Sequence, residues 1–270
     1  MESKGSYGCI SGFHQIIMMI TWREREHEEQ DMIALNDLGT VRALRDCGLL
    51  KYFKFSGMRQ QIELLEFLVR AWDPVIEAFH IKNKVVPITV EDVYFLTGLS
   101  RRGLPISLIG SIVGGETVRD YVMQYFYPGA EPSKYGKINI RDFRDFPLRT
   151  ILFRIAKIVG TVTLHVANKS YMKYALECLE PIVFNWSEAV LSQIKEQLNK
   201  EKGGRKKNFS YGSILISFAL EQIPLMQPQH VTLDIANPRY TLMQRWVELM
   251  GRYADQSTVV FSTALFAWFR

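Results

Sequence analysis

The chain has 270 residues, 47% of them hydrophobic and 23% charged, which is the balance of a folded chain with a substantial core and excludes a disordered one. Its 33 Lys and Arg against 28 Asp and Glu leave a net charge of +5, an excess that permits nucleic-acid contact without demanding it. Cys9, Cys47 and Cys178 lie far apart, are odd in number and form no CxxC pair, so neither a disulfide framework nor a zinc site is legible and a reducing compartment fits.

Taken in chain order, the apolar stretch Ile16–Ile20 is too short for a secretory signal and runs into the charged run Trp22–Glu26. Residues 13–29 have helical character, which makes 1–34 an N-terminal helical extension. A second helix begins near Asp37, which can cap it, places Leu38, Val41 and Leu44 on one side, and ends at Gly48. Met58, Ile62, Leu65, Val69 and Trp72 recur at alternating steps of four and three, the spacing of a helix with one buried stripe. Asp73-Pro74 stops that helix, because proline lacks the N–H and restricts the residue before it.

Extended pieces follow at Phe79-His80-Ile81 and from Val85 to Ile88, and alternation sends His80 to the face opposite Phe79 and Ile81. Thr89 and Asp92 then have the spacing of a capping box, Val93 and Leu96 form an apolar stripe, and Gly98 supplies a left-handed end. Gly114-Gly115 precedes a helix through Val118, Tyr121, Val122, Tyr125 and Phe126, stopped by Pro128-Gly129. Residues 128–146 read as the loosest stretch, after which Pro147 opens a long core helix from Leu148 to Val166. Arg149, Arg154, Lys157 and His165 exclude that helix as a bilayer span, and no membrane partner is expected.

A helix from Ser170 stops before Pro181, and Asn185 with Glu188 caps another that carries Val190, Leu191, Ile194 and Leu198 inward. Lys202 to Lys207 is a solvated basic loop and a nuclear-localisation candidate. Apolar helices follow over 211–222 and from Pro238 to Met250. The stretch 251–270 reads as a C-terminal helix that ends without cap or polar tail, either as the closing element of the fold or as a piece of a longer protein would. The fold class is mainly α: a single multi-helix globular domain over 35–250, with a few short strands near residues 79–88.

Chemistry is sparse. His14, His27, His80, His165 and His230 are not paired at metal spacing, and H-E-x-x-H, Walker A, G-x-S-x-G and the dinucleotide fingerprint are absent. No metal and no cofactor is expected. His80 is the best single polar candidate, more simply a structural histidine on a carboxylate such as Asp92 than a catalytic base. From Lys134 to Lys173 there are nine Lys and Arg against Asp142 and Asp145, with Tyr135, Phe143, Phe146 and Tyr171 interleaved. A nucleic-acid surface with Lys137, Arg141 and Arg144 in contact has this composition, and so has the solvated side of a long helix.

Trp72, Pro74, Phe79 and His80 form the string W-x-P-x4-F-H; Ile88 to Leu99, through Thr89, Glu91, Asp92, Leu96, Thr97 and Gly98, read I-T-V-E-D-V-x-x-L-T-G-L; Gly103 and Pro105 complete G-x-P. In this order and spacing the stretch resembles the plant mobile domain family, also catalogued as aminotransferase-like, which occurs in plant nuclear proteins of the maintenance-of-meristems type and in plant transposable elements. The segment around Trp186 (Asn185 to Leu191) resembles a helix start found late in that family, so the likeness covers roughly residues 35–250. Members usually have Glu-Arg before the tryptophan and Thr-His-Thr before Phe-His, where this chain has Arg70-Ala71 and Ile76-Glu77-Ala78. Pyridoxal phosphate chemistry needs a large α/β scaffold that alternating strands and helices would announce, and they are missing here.

The resemblance implies a non-enzymatic scaffold in the nucleus that binds protein partners, a phosphatase-like nuclear protein among them, with roles in transposon silencing, genome maintenance and meristem development. Two alternatives stand beside it: a transposon-derived domain that binds DNA through residues 134–173, and an enzyme of unrecognised type that uses His80 with Glu91 or Asp92.

Overall fold

A computed structural model describes residues 38–50, 61–106, 128, 137–139, 146–158, 166–168, 170–180, 182–204, 211–223 and 241–246. The helices expected over 13–29, 114–126 and 251–270 lie outside these residues.

Helix α1 (Leu38–Asp46) turns Thr40, Leu44 and the following Cys47 inward at steps of four and three, while Leu38 stays 84% exposed. The expected Leu38/Val41/Leu44 side is therefore rotated: a small threonine allows closer approach than a leucine there. Gly48 closes the helix at φ +81, a conformation that costs glycine little. Helix α2 (Ile62–Ala71) shows a similar rotation. Leu64, Leu65 and Leu68 are fully buried, Val69 is half-buried and Ile62 is half-exposed.

The α2 ladder ends at Ala71, one residue before the expected Trp72. Trp72 takes extended backbone, although its N–H still reaches the Leu68 and Val69 carbonyls. From there the chain enters a three-stranded antiparallel sheet of order β1 (Trp72–Asp73), β2 (Ala78–Ile81) and β3 (Lys84–Pro87). Trp72 stands opposite Phe79, and His80 opposite Val85. As alternation requires, Phe79 and Ile81 are buried and His80 is exposed.

Helix α3 (Val90–Thr97) is closed at both ends by its own sequence. Thr89 Oγ1 accepts the Asp92 N–H at 3.2 Å, and Asp92 Oδ2 accepts the Thr89 N–H at 2.8 Å. Gly98 adopts φ +70 and donates its N–H to the Tyr94 carbonyl at 2.7 Å. Eight residues cannot hold a helix alone, so its ends matter more than its propensity. Thr89→Ala is expected to cost about 1 kcal/mol, and Gly98→Val more, because a β-branched residue resists the left-handed region. Urea midpoints of the two variants measure both.

Helix α4 (Phe146–Ile158) does not run on to the expected end at Val166, which lies in a strand. Strand β5 (Val166–Asn168) pairs antiparallel with β4 (Lys137–Asn139), so part of the presumed loop is a strand. Helices α5 (Ser170–Glu177), α6 (Trp186–Lys202) and α7 (Gly212–Gln222) follow, with a helical turn over 242–246.

The described part is mainly helical with one small three-stranded sheet, and α3 packs on both α6 and α7. Trp72, Trp186 and Trp246 are buried in one continuous core with Phe79, Phe184 and Phe218. Arg154 is also inside, 1% exposed, and burial pushes its guanidinium down to about 9. Among the described residues, no helix is long and apolar enough to cross a membrane.

Candidate interaction site

The stretch from Trp72 to Pro105 is built outward from one carboxylate. Asp73 Oδ1 accepts the Val75 N–H at 2.8 Å and, less closely, the Ile76 N–H at 3.4 Å, which folds the β1–β2 loop around Pro74. Its other oxygen faces His80 Nε2 at 3.3 Å. His80 thus has a carboxylate partner, but it is Asp73 and not Asp92, because the β1–β2 hairpin brings residues 73 and 80 to one edge. Glu91 and Asp92 are engaged elsewhere, so the constellation of His80 with either of them is not assembled.

The Val75 N–H, helped by Ile76 and His80, holds the Asp73 carboxyl below its ordinary 3.8. A depressed carboxyl stabilises the loop above its unfolded value, and that contribution is lost as pH falls through the folded one. The Val75 amide shift, followed by NMR, should therefore titrate with a midpoint below 3.8. A midpoint at or above that value contradicts the contact.

The remaining motif residues form a structural joint. Trp72 Nε1 donates to Asn199 Oδ1 on α6 at 2.7 Å, and its ring meets Phe79 edge-on at 5.0 Å. Phe79 continues to Phe218 on α7 at 5.6 Å. Leu96, Thr97 and Leu99 are buried. Thr97 Oγ1 donates to the Val93 carbonyl at 2.6 Å and accepts the Leu99 N–H at 3.2 Å, tying the end of α3 to the next segment.

That segment then crosses residues 183–187. The Leu104 N–H bonds the Val183 carbonyl at 2.9 Å, the Asn185 N–H returns to the Leu104 carbonyl at 2.9 Å, and the Ser187 N–H takes the Ser100 carbonyl at 2.9 Å. Gly103 has φ +114, and a Cβ there would lie 2.1 Å from the Val183 carbonyl oxygen. Pro105 follows, exposed, on the outer side of the crossing. Beneath it Trp186 Nε1 donates to the Cys47 carbonyl at 2.8 Å, which anchors the end of α1.

One face of α3 points outward. Glu91 and Phe95 are exposed, one turn apart, and Tyr94 is half-buried beside them. Arg101 Nη1 bonds Glu91 Oε1 at 3.1 Å while its guanidinium lies 5.0 Å from the Tyr94 ring centre. Tyr94 and Phe95 meet edge-on at 5.1 Å. An aromatic pair beside an exposed ion pair is chemistry suited to a protein surface contact.

The basic stretch comes out differently from its sequence. Arg154 is buried and leaves the presumed surface. Lys137 lies in β4, its backbone in register with Asn168, and Arg141 and Arg144 lie outside the described residues. Among the described residues no group of His, Cys, Asp and Glu could hold a metal ion.

Sequence reasoning missed the partners of its own motif. Asn199, Ser187, whose Oγ donates to the Leu99 carbonyl at 2.9 Å, and Gln222, whose Nε2 donates to Asp92 Oδ1 at 3.2 Å, are all distant in the chain. Arg101, ten residues from Glu91, was within reach of inspection.

Residues 32–216 match the family described as Domain of unknown function (DUF8566). No curated protein matches the chain, and no solved structure does.

Proposed function

The chain belongs to the DUF8566 family, and on the residues of its Trp72–Pro105 motif we propose that it is a non-enzymatic interaction domain of plant-mobile-domain type, acting in the nucleus through protein contacts. The motif from Trp72 to Pro105 supports the type. The observation that carries the reading is that the motif's polar groups serve the fold, His80 on Asp73 and Thr89 with Asp92 at a helix cap. The Glu91–Tyr94–Phe95–Arg101 face is among the parts of the motif that stay outward. In this reading a single multi-helix domain over 35–250 presents that face to a partner, a phosphatase-like nuclear protein being one of the expected kind. Transposon silencing, genome maintenance and meristem development are the processes it would serve.

Capture from plant nuclear extract, read by mass spectrometry, tests it. The Glu91–Arg101 pair is exposed on both sides, 58% and 36%, so Glu91→Gln should change stability by less than about 1 kcal/mol. Together with Phe95→Ala it should abolish capture of the wild-type partners while the melting curve stays in place. Partners retained at wild-type levels by the folded double variant would overturn the assignment of this face. A salt-steep duplex gel shift that flattens when Lys137, Arg141 and Arg144 are replaced would favour the DNA-binding alternative instead.

A further inference from the structure

We propose that the open edge of the three-stranded sheet, along β3, is a docking site for an acidic extended peptide, which adds to the sheet as a further strand. The sheet order is β1-β2-β3, and among the described residues no strand pairs with β3 on its far side. Lys82 and Asn83 make the turn between β2 and β3, with Lys82 at φ +55. A two-residue turn makes the flanking residues Ile81 and Lys84 a hydrogen-bonded pair. Antiparallel alternation then bonds Val86 to Phe79 and turns the main chain of Val85 and Pro87 away from β2. The Val85 N–H and the Val85 and Pro87 carbonyls are thus presented on the open side, in the order an incoming strand requires.

The side chains select which strand. Val85 is 56% exposed and stands opposite His80, on the outer face of the sheet. Lys84 precedes it and is exposed, with exposed Lys82 beside it at the turn. Successive residues of a strand point to opposite faces, so a strand laid along β3 sets an apolar residue beside Val85 and a carboxylate beside Lys84. The carboxylates of the sheet itself are engaged elsewhere, Asp73 with His80 and Glu77 with Lys195 at 2.6 Å. A lysine and a proline on an edge also hinder indiscriminate pairing. Here that hindrance discriminates: a second copy of β3 brings its own Lys84 to the edge, whereas an acidic strand brings the opposite charge. The edge shares no residue with the Glu91–Arg101 face of α3.

The test titrates the isotope-labelled full chain with a short fluorescein-labelled peptide of alternating glutamate and valine. At low salt the anisotropy should saturate, and the Val85 amide proton should shift downfield and become protected from exchange. Methylating one peptide nitrogen that faces β3 removes a donor without altering the protein, and should weaken binding by about tenfold. Lys82→Glu together with Lys84→Glu should weaken it too, with the melting curve in place, and a lysine–valine peptide should not bind. No anisotropy change at low salt, equal binding of the methylated or the lysine–valine peptide, shifts confined to the α3 face, or a dimer through β3 without peptide would each overturn the proposal.

Discussion

Trp72→Ala is expected to destabilise the protein by about 3–5 kcal/mol, the range for emptying a large aromatic site in a core. Trp72 is 1% exposed and touches both the sheet and α6. Two effects contribute, and their sizes differ. The indole N–H is lost to Asn199, but Asn199 lies at the surface, where water can replace the donor, so that part is about 1 kcal/mol. The larger part is the vacated volume against Phe79 and the core behind it. Trp72→Phe should therefore recover most of the loss. A loss of about half of a typical stability should show as a large fall in denaturant midpoint. An unchanged midpoint for Trp72→Ala would show that the ring is not a core anchor.

Gly103→Ala is expected to cost about 3 kcal/mol, although Gly103 is exposed and the change adds one carbon. Exposure alone would forecast nearly nothing. Two features oppose the methyl group: φ is +114, and the Cβ would stand 2.1 Å from the Val183 carbonyl oxygen. Backbone on both sides of a crossing cannot swing aside as a side chain would, so a strained conformation and a displaced strand of chain add together. Gly204 provides the control. Its φ is +73, but nothing lies within 4 Å of the added Cβ, so Gly204→Ala should cost about 1 kcal/mol from conformation alone. Equal effects at the two glycines would show that the crossing is not tightly held.

What the sequence made legible was local. The Thr89–Asp92 box and Gly98 are four-residue and single-residue signals whose physics is complete within the helix they close. The alternation that exposes His80 is equally local. The carboxylate that His80 meets is not, because it depends on the β1–β2 turn setting residue 73 beside residue 80. Trp72 was expected on a buried stripe, but the N–H partners of Trp72 and Trp186, Asn199 and the Cys47 carbonyl, lie more than a hundred residues away. No periodicity encodes such a pairing. The inward sides of α1 and α2 were rotated for the same reason: spacing defines a stripe, and the neighbours decide which of two overlapping stripes faces them. Arg154 was counted with the solvent-facing cations because arginine is seldom fully buried. The outward face of α3 was half legible, since Val93 and Leu96 were read as its apolar stripe, while Arg101 was not linked to Glu91.

If the family-like motif is an architectural joint, its three crossing hydrogen bonds, at Leu104, Asn185 and Ser187, are part of the global fold. Native-state hydrogen exchange of those three amides tests it most directly. They should exchange only through global unfolding, with the same opening free energy as the amides in the middle of α6, even though Leu104 is 55% exposed. Exchange at the rate of an open surface loop would contradict it.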